Sequence, residues 1–264
     1  MSPRRLFALN VLGLCAIVAT SATAQSQAQN PQSWKGTVLQ GSAIEIKGVN
    51  GGITASAASS NEVEVSAVMR GRRSNPADVK LDIVQHADGV TICAVYPSAD
   101  GRPNECQPGS GGRMNVRDND VTVAFTVRVP PGVRFVGRTV NGDVKADGLS
   151  SNVSLQTVNG DASFSTSGSG DASTVNGSIT GAMGTTLWTE ALKFRSVNGS
   201  VSLDLPADAS TDVDVATVNG SISTDFPMTV TGRISPKRLN GTIGAGGRSM
   251  SIETVNGSVT IRKR

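Results

Sequence analysis

The chain has 264 residues, with 24 Lys and Arg against 21 Asp and Glu, and aromatic residues make up 3% of it. Setting Arg4 and Arg5 aside brings the charge close to balance, so the chain carries no excess with which to seek out nucleic acid. So few aromatics also exclude the interfacial girdles of a transmembrane barrel, while 30 glycines point to short strands and tight turns.

Residues 1–24 read as an export signal. Arg4 and Arg5 give a positive start, 6–20 are mostly apolar, and Ala22-Thr23-Ala24 offers small residues for cleavage. The arginine pair fits both a general secretory and a twin-arginine signal. Leu14 before Cys15 stands where a lipid-attachment site needs a small residue. No later run approaches the roughly 20 apolar residues of a spanning helix, so no membrane span is expected after cleavage. Export places the chain in the periplasm or at the cell surface.

Residues 25–33, rich in Gln and Ala, read as a disordered leader. From 34 to 132 the pattern is β-rich but irregular: 43–46, 62–65, 79–83, 90–93 and 121–129 alternate apolar with polar at period two. Cys93 and Cys106, in an exported chain, are expected to form a disulfide that ties the root of a Gly- and Pro-rich loop at 97–119. With the lone His86 they fall short of a four-ligand zinc site, and neither metal nor cofactor is expected. Pro130-Pro131-Gly132 then breaks the long strand, and a boundary is expected there.

Residues 133–264 read as a tandem array. Val-Asn-Gly or a close variant occurs at Asn50, Asn141, Asn159, Asn176, Asn198, Asn219, Asn240 and Asn256, with an aliphatic residue before each Asn and another three places after it. From Asn141 the steps are 18, 17, 22, 21, 21 and 16 residues, the length of one supersecondary unit.

Asn-Gly between strands is a strong hairpin signal. A meander of such hairpins would expose one aliphatic side chain per turn, and its strands, about fourteen, exceed what an open sheet carries without curling. A coil instead stacks like on like at about 4.8 Å. The Asn amides then form a ladder, and Val158, Ala162, Val175, Ile179, Val197, Val201, Val218, Ile222, Val255 and Val259 are expected inside.

Arg128-Val129-Pro130-Pro131-Gly132-Val133, Thr139-Val140-Asn141-Gly142-Asp143-Val144 and the later Thr-Val-Asn-Gly-Ser units resemble the bacterial adhesin-like β-strand-repeat family, a domain of unknown function. The resemblance spans 44–261. It implies an all-β, right-handed parallel β-solenoid in an envelope protein, and it supplies no catalytic residues. Arg238 and Leu239 depart from the motif, so a distorted coil is expected at Asn240.

Asp212 and Asp214 share a strand face about 6.6 Å apart, within reach of a glycosidase pair, but solvated charge explains them more simply. His86 lacks a nucleophile motif. Asn-Gly-Ser/Thr matches the N-glycosylation pattern as a by-product of the turn. Trp188 is the one candidate surface contact for a glycan, with a core-capping role as the alternative. The expected function is therefore a non-catalytic, adhesin-like binding or structural module whose partner is an envelope protein or glycan. A carbohydrate-active enzyme on the same fold is the second reading.

Overall fold

The computed structural model describes residues 27–28, 32–186, 188–230 and 235–264; the expected signal at 1–24 lies outside them. Among the described residues the structure is all-β, its one helical turn being a short 3-10 segment at Pro76–Asp78. No described helix is long and apolar enough to cross a membrane.

The first strands are β1 (Gln27–Ala28), β2 (Gln32–Gly36), β3 (Ala43–Lys47), β4 (Ile53–Ala57), β5 (Val63–Gly71), β6 (Lys80–His86), β7 (Gly89–Val95) and β8 (Thr122–Val129). Paired strands follow: β9 (Arg134–Arg138) and β10 (Val144–Leu149), β11 (Val153–Gln156) and β12 (Ala162–Thr166), β13 (Gly170–Ser173) and β14 (Ile179–Met183). Next come β15 (Leu192–Arg195) and β16 (Val201–Leu205), β17 (Thr211–Asn219) and β18 (Ile222–Thr224), then β19 (Met228–Val230), β20 (Arg238–Ile243), β21 (Ser249–Asn256) and β22 (Val259–Lys263).

These strands build two 11-stranded sheets. In one, β4, β10, β12, β14, β16, β22 and β18 lie side by side, all parallel. In the other, β7, β3, β9, β11, β13, β15, β21 and β17 do the same. Each repeat thus gives one strand to each sheet, and the Asn-Gly corner joins them. Antiparallel strands flank the stacks: β5 covers β8, β6 covers β7, and β20 covers β17.

The core lies between the sheets. Inward positions alternate with outward ones, so Val144, Ala162, Ile179, Val201 and Val259, each three places after an Asn, are fully buried. Phe164 and Phe194 face each other across the core with ring centroids 6.3 Å apart.

Four expectations need correction. The stack does not start at 133, because the β3/β4 unit, with Asn50, already pairs in register with β9 and β10. The leader expected to be disordered contains β1 and the start of β2, both antiparallel to β5. Asn240 is no corner: it lies inside β20 opposite Asp214, where Arg238 lacks the hydroxyl that the Asn141, Asn159, Asn176, Asn198, Asn219 and Asn256 units place two residues before Asn. Finally, stacking does not follow the sequence. The Asn256 unit, β21/β22, lies between the Asn198 unit and the Asn219 unit, so β17/β18 is the outermost layer.

Candidate functional site

The corner explains the motif residue by residue. Each Asn Nδ2 donates to the Asn Oδ1 of the preceding layer: Asn141 to Asn50 at 2.8 Å, Asn159 to Asn141 at 2.8 Å, Asn176 to Asn159 at 2.7 Å and Asn198 to Asn176 at 2.8 Å. Asn256 then donates to Asn198 at 2.7 Å and Asn219 to Asn256 at 2.8 Å. From Asn141 on, the hydroxyl two residues before each ladder Asn is buried and donates to the Gly carbonyl of the same neighbour. Thr157 reaches Gly142 at 2.8 Å, Thr174 reaches Gly160 at 2.9 Å, and Ser196 reaches Gly177 at 2.8 Å. The Asp or Ser after the Gly accepts a backbone N–H from the next layer, as Asp143 does from Asp161 at 2.8 Å and Asp161 from Ser178 at 2.7 Å. At Gly177 a Cβ would stand 1.9 Å from the Gly160 carbonyl oxygen, so the layers approach too closely for any side chain there.

In the inner layers the Asn amides, the buried hydroxyls and the Gly N–H groups of this corner are therefore spent within the stack, and the apolar side chain that it shows to solvent is the aliphatic residue before each Asn. Val140, Val158, Val175, Val255 and Val218 are 39, 37, 38, 39 and 60% exposed, which overturns the expectation that Val158, Val175, Val218 and Val255 fill the interior. Val197 is half-buried. The cause is the strand's period of two: buried Thr at one position turns the next side chain outward. In a stack these six valines form one continuous aliphatic ridge of about 24 Å, taking five spacings of 4.8 Å.

One end of the ridge opens into a cavity of about 560 Å³ under the 97–119 loop, lined by Lys47, Asn50, Met114, Val116, Val140 and Asn141 among others. The Cys93–Cys106 disulfide joins this loop to β7. Lys47 Nζ donates to the carbonyls of Gln107, Gly109 and Gly111 at 2.9, 3.0 and 2.8 Å, and burial holds its ammonium below the ordinary lysine range. Glu45 is buried beneath the loop. Its carboxylate accepts from Arg138 Nε at 2.7 Å, Thr91 Oγ1 at 2.9 Å and the Gly109 N–H at 2.9 Å.

Residues 133–262 match the family model described as Toastrack DUF4097. The Asn50 unit lies outside this match, yet it supplies the first layer of the asparagine ladder. No curated protein matches the chain. Among solved structures, a putative cell adhesion protein from Clostridium sporogenes is 11% identical with a TM-score of 0.46, over 89% of this chain and 100% of that one. A putative adhesin from Bacteroides fragilis is 14% identical with a TM-score of 0.30, over 89% and 98%. A putative lipid binding protein from Parabacteroides distasonis is 11% identical with a TM-score of 0.26, over 89% and 97%.

The other residues singled out in the sequence are scattered over the molecule. Trp188, the candidate surface contact, is 6% exposed and belongs to the core, its Nε1 without a partner among the described residues. Its large apolar ring is worth more inside than out. Asp212 accepts from Thr242 Oγ1 at 2.8 Å, and Asp214 pairs with Arg238 at 3.2 Å, so both hold β20 to β17. His86 Nε2 meets Thr91 Oγ1 at 3.1 Å, and since Glu45 can only accept, Thr91 donates to Glu45 and accepts from His86. Among the described residues no group of three or more His, Cys, Asp or Glu is placed to hold a metal. Sequence reasoning missed Glu45 and Lys47, whose burial depends on a loop more than 50 residues further along.

Proposed function

We propose that this chain is an exported envelope protein, a right-handed β-solenoid that works without catalysis as an adhesin-like binding module. Its contact surface is the valine ridge. The right-handed sense is supported by the strong chiral preference of crossovers between parallel strands in one sheet. The binding reading rests on a single observation, the run of outward valines at successive layers, because a contiguous aliphatic strip is the kind of exposed surface that marks interaction sites.

An envelope protein fits this surface better than a glycan. Sugar rings stack on aromatic faces, and Trp188, the aromatic that could have served, is inside. No observation favours the carbohydrate-active alternative, whose two acids, Asp212 and Asp214, are engaged in holding β20.

The test is retention of the purified protein on isolated envelope material, before and after that material is treated with protease or with glycan-degrading enzymes. Protease treatment should abolish retention, and the triple substitution Val158→Ser, Val175→Ser, Val255→Ser should weaken it about tenfold or more while leaving the thermal transition in place. Equal retention of the triple variant, or retention that survives protease, would refute the reading. Turnover of any glycan by the wild type, lost in Asp214→Ala, would replace it with the enzyme.

A further inference from the structure

We propose that Asn219 is a site of spontaneous covalent modification, selected from among the Asn-Gly pairs by its place at the open end of the ladder. In an Asn-Gly pair the glycine nitrogen can reach the side-chain carbonyl before it, since no Cβ obstructs the approach. That nitrogen forms a bond to the Asn carbonyl carbon, the carboxamide C–N bond breaks, and ammonia leaves with the proton that the glycine nitrogen gave up. Water then opens the cyclic imide to aspartate or isoaspartate.

The stack blocks this step at every inner layer. There the glycine N–H is donated to the Asn carbonyl of the next layer: Gly51 to Asn141 at 2.7 Å, Gly142 to Asn159 at 2.9 Å, Gly160 to Asn176 at 3.0 Å, Gly177 to Asn198 at 3.0 Å and Gly199 to Asn256 at 3.0 Å. Gly257 donates to Asn219 at 3.0 Å in the same way. Each inner carboxamide is also held twice, as donor to one neighbour and acceptor from the other.

Asn219 lies in the last corner layer: among the described residues no further corner stacks on it, while β20 covers β17 as far as Ala216 and Lys237 Nζ donates to the Gly220 carbonyl at 2.5 Å. Among the described residues the Gly220 N–H has no acceptor, and the Asn219 side chain keeps one bond, from its Nδ2 to Asn256 Oδ1 at 2.8 Å, with its Oδ1 receiving none. The side chain is exposed to water. Asn240-Gly241, the pair outside the ladder, is held in mid-sheet, with Gly241 paired to Val213 of β17 and Val230 of β19. Conversion at Asn219 removes the Nδ2 donor, places a carboxylate against Asn256 Oδ1, and so loosens the outermost layer.

The experiment is peptide mapping by mass spectrometry during incubation of the folded protein at mildly alkaline pH, following the mass change of ammonia lost and water gained at each Asn. Asn219 should convert about tenfold or more faster than any inner ladder Asn, and in denaturant the rates at all Asn-Gly pairs should converge. In the folded variant Asn219→Gln, where the ring would need six members, conversion should disappear without moving to another site. An inner Asn leading the series, or Asn219 intact while the denatured chain converts, would overturn the proposal.

Discussion

Asn256 donates its side-chain amide to Asn198, 58 residues earlier in the chain, at 2.7 Å, and itself receives the amide of Asn219 at 2.8 Å. A residue late in the sequence thus occupies an inner rung. Asn256→Ala breaks two rungs and should cost about 1–2 kcal/mol, whereas Asn219→Ala breaks one and should cost about half of that. Chemical denaturation of the two variants measures the difference. A chain stopped at residue 248 lacks β21 and β22, leaves β15, β16, β17 and β18 without their shared neighbour, and should show no cooperative transition.

Gly177→Ala puts a methyl group 1.9 Å from a backbone carbonyl oxygen that cannot rotate away. The layers would have to part along the whole corner, and we expect a loss above about 3 kcal/mol or failure to fold. Gly148→Ala is the control for space, because nothing lies within 4 Å of a Cβ there. Its φ of 62° favours glycine, so its cost should be about 1 kcal/mol, from the backbone alone.

Thr157→Val keeps the shape of the side chain and removes the donor that the Gly142 carbonyl receives at 2.8 Å. An acceptor left unsatisfied next to the core should cost about 1–3 kcal/mol, while Thr157→Ser should recover most of it. Ser196, the natural serine of the series, makes the same bond at 2.8 Å.

The motif was legible as a stack because like residues recur at a repeat length no meander requires. The inward place of residues such as Ile179 and Val201 is legible, since their alternation with Ser and Thr is strict. The valines before Asn face outward, against the expectation, for a physical reason: at a tight corner a small hydroxyl with a backbone partner is worth more inside than a third aliphatic row. That also weakens the exposure argument against hairpins, because the stack exposes one aliphatic residue per corner too. Trp188 and Glu45 were illegible, because their burial comes from segments distant in sequence. The reversed placement of the Asn219 and Asn256 units leaves no trace in spacing, as every corner carries the same residues.

Tyr96 is the only tyrosine of the chain, so its titration can be followed without interference. Burial pushes its phenol up to about 12, against a weaker opposing effect of its bond to the Asn50 carbonyl. The folded state holds its proton where the unfolded state, titrating near about 10, has lost it, so this contribution to stability is complete below about pH 10 and lost as the pH rises to about 12. Phenolate absorbance should therefore appear near pH 12 in the folded protein and near 10 in denaturant. Asp120 acts at the other extreme. The Ser74 N–H above all holds its carboxyl down at about 2, so its contribution is present above about pH 4 and lost as the pH falls toward 2.

Reduction of Cys93–Cys106 removes a tie worth about 3 kcal/mol in the chain-entropy model. The loop then relies on Lys47 and Glu45, while the stack beyond β9 keeps all its own bonds. Trypsin should cut after Arg113 or Arg117 in the reduced protein before it touches the repeats, and Lys47→Ala should hasten that cut in the oxidised one.

The Asn219 layer is synthesised before the Asn256 layer that separates it from the rest. As the polypeptide emerges, then, the growing column cannot simply be extended turn by turn, with each new segment settling on the one before. A place must be left vacant, or a premature seat vacated, until the later segment arrives. Up to Asn198 the assembly is free to follow emergence, and past that residue it becomes a single event in which two layers lock together.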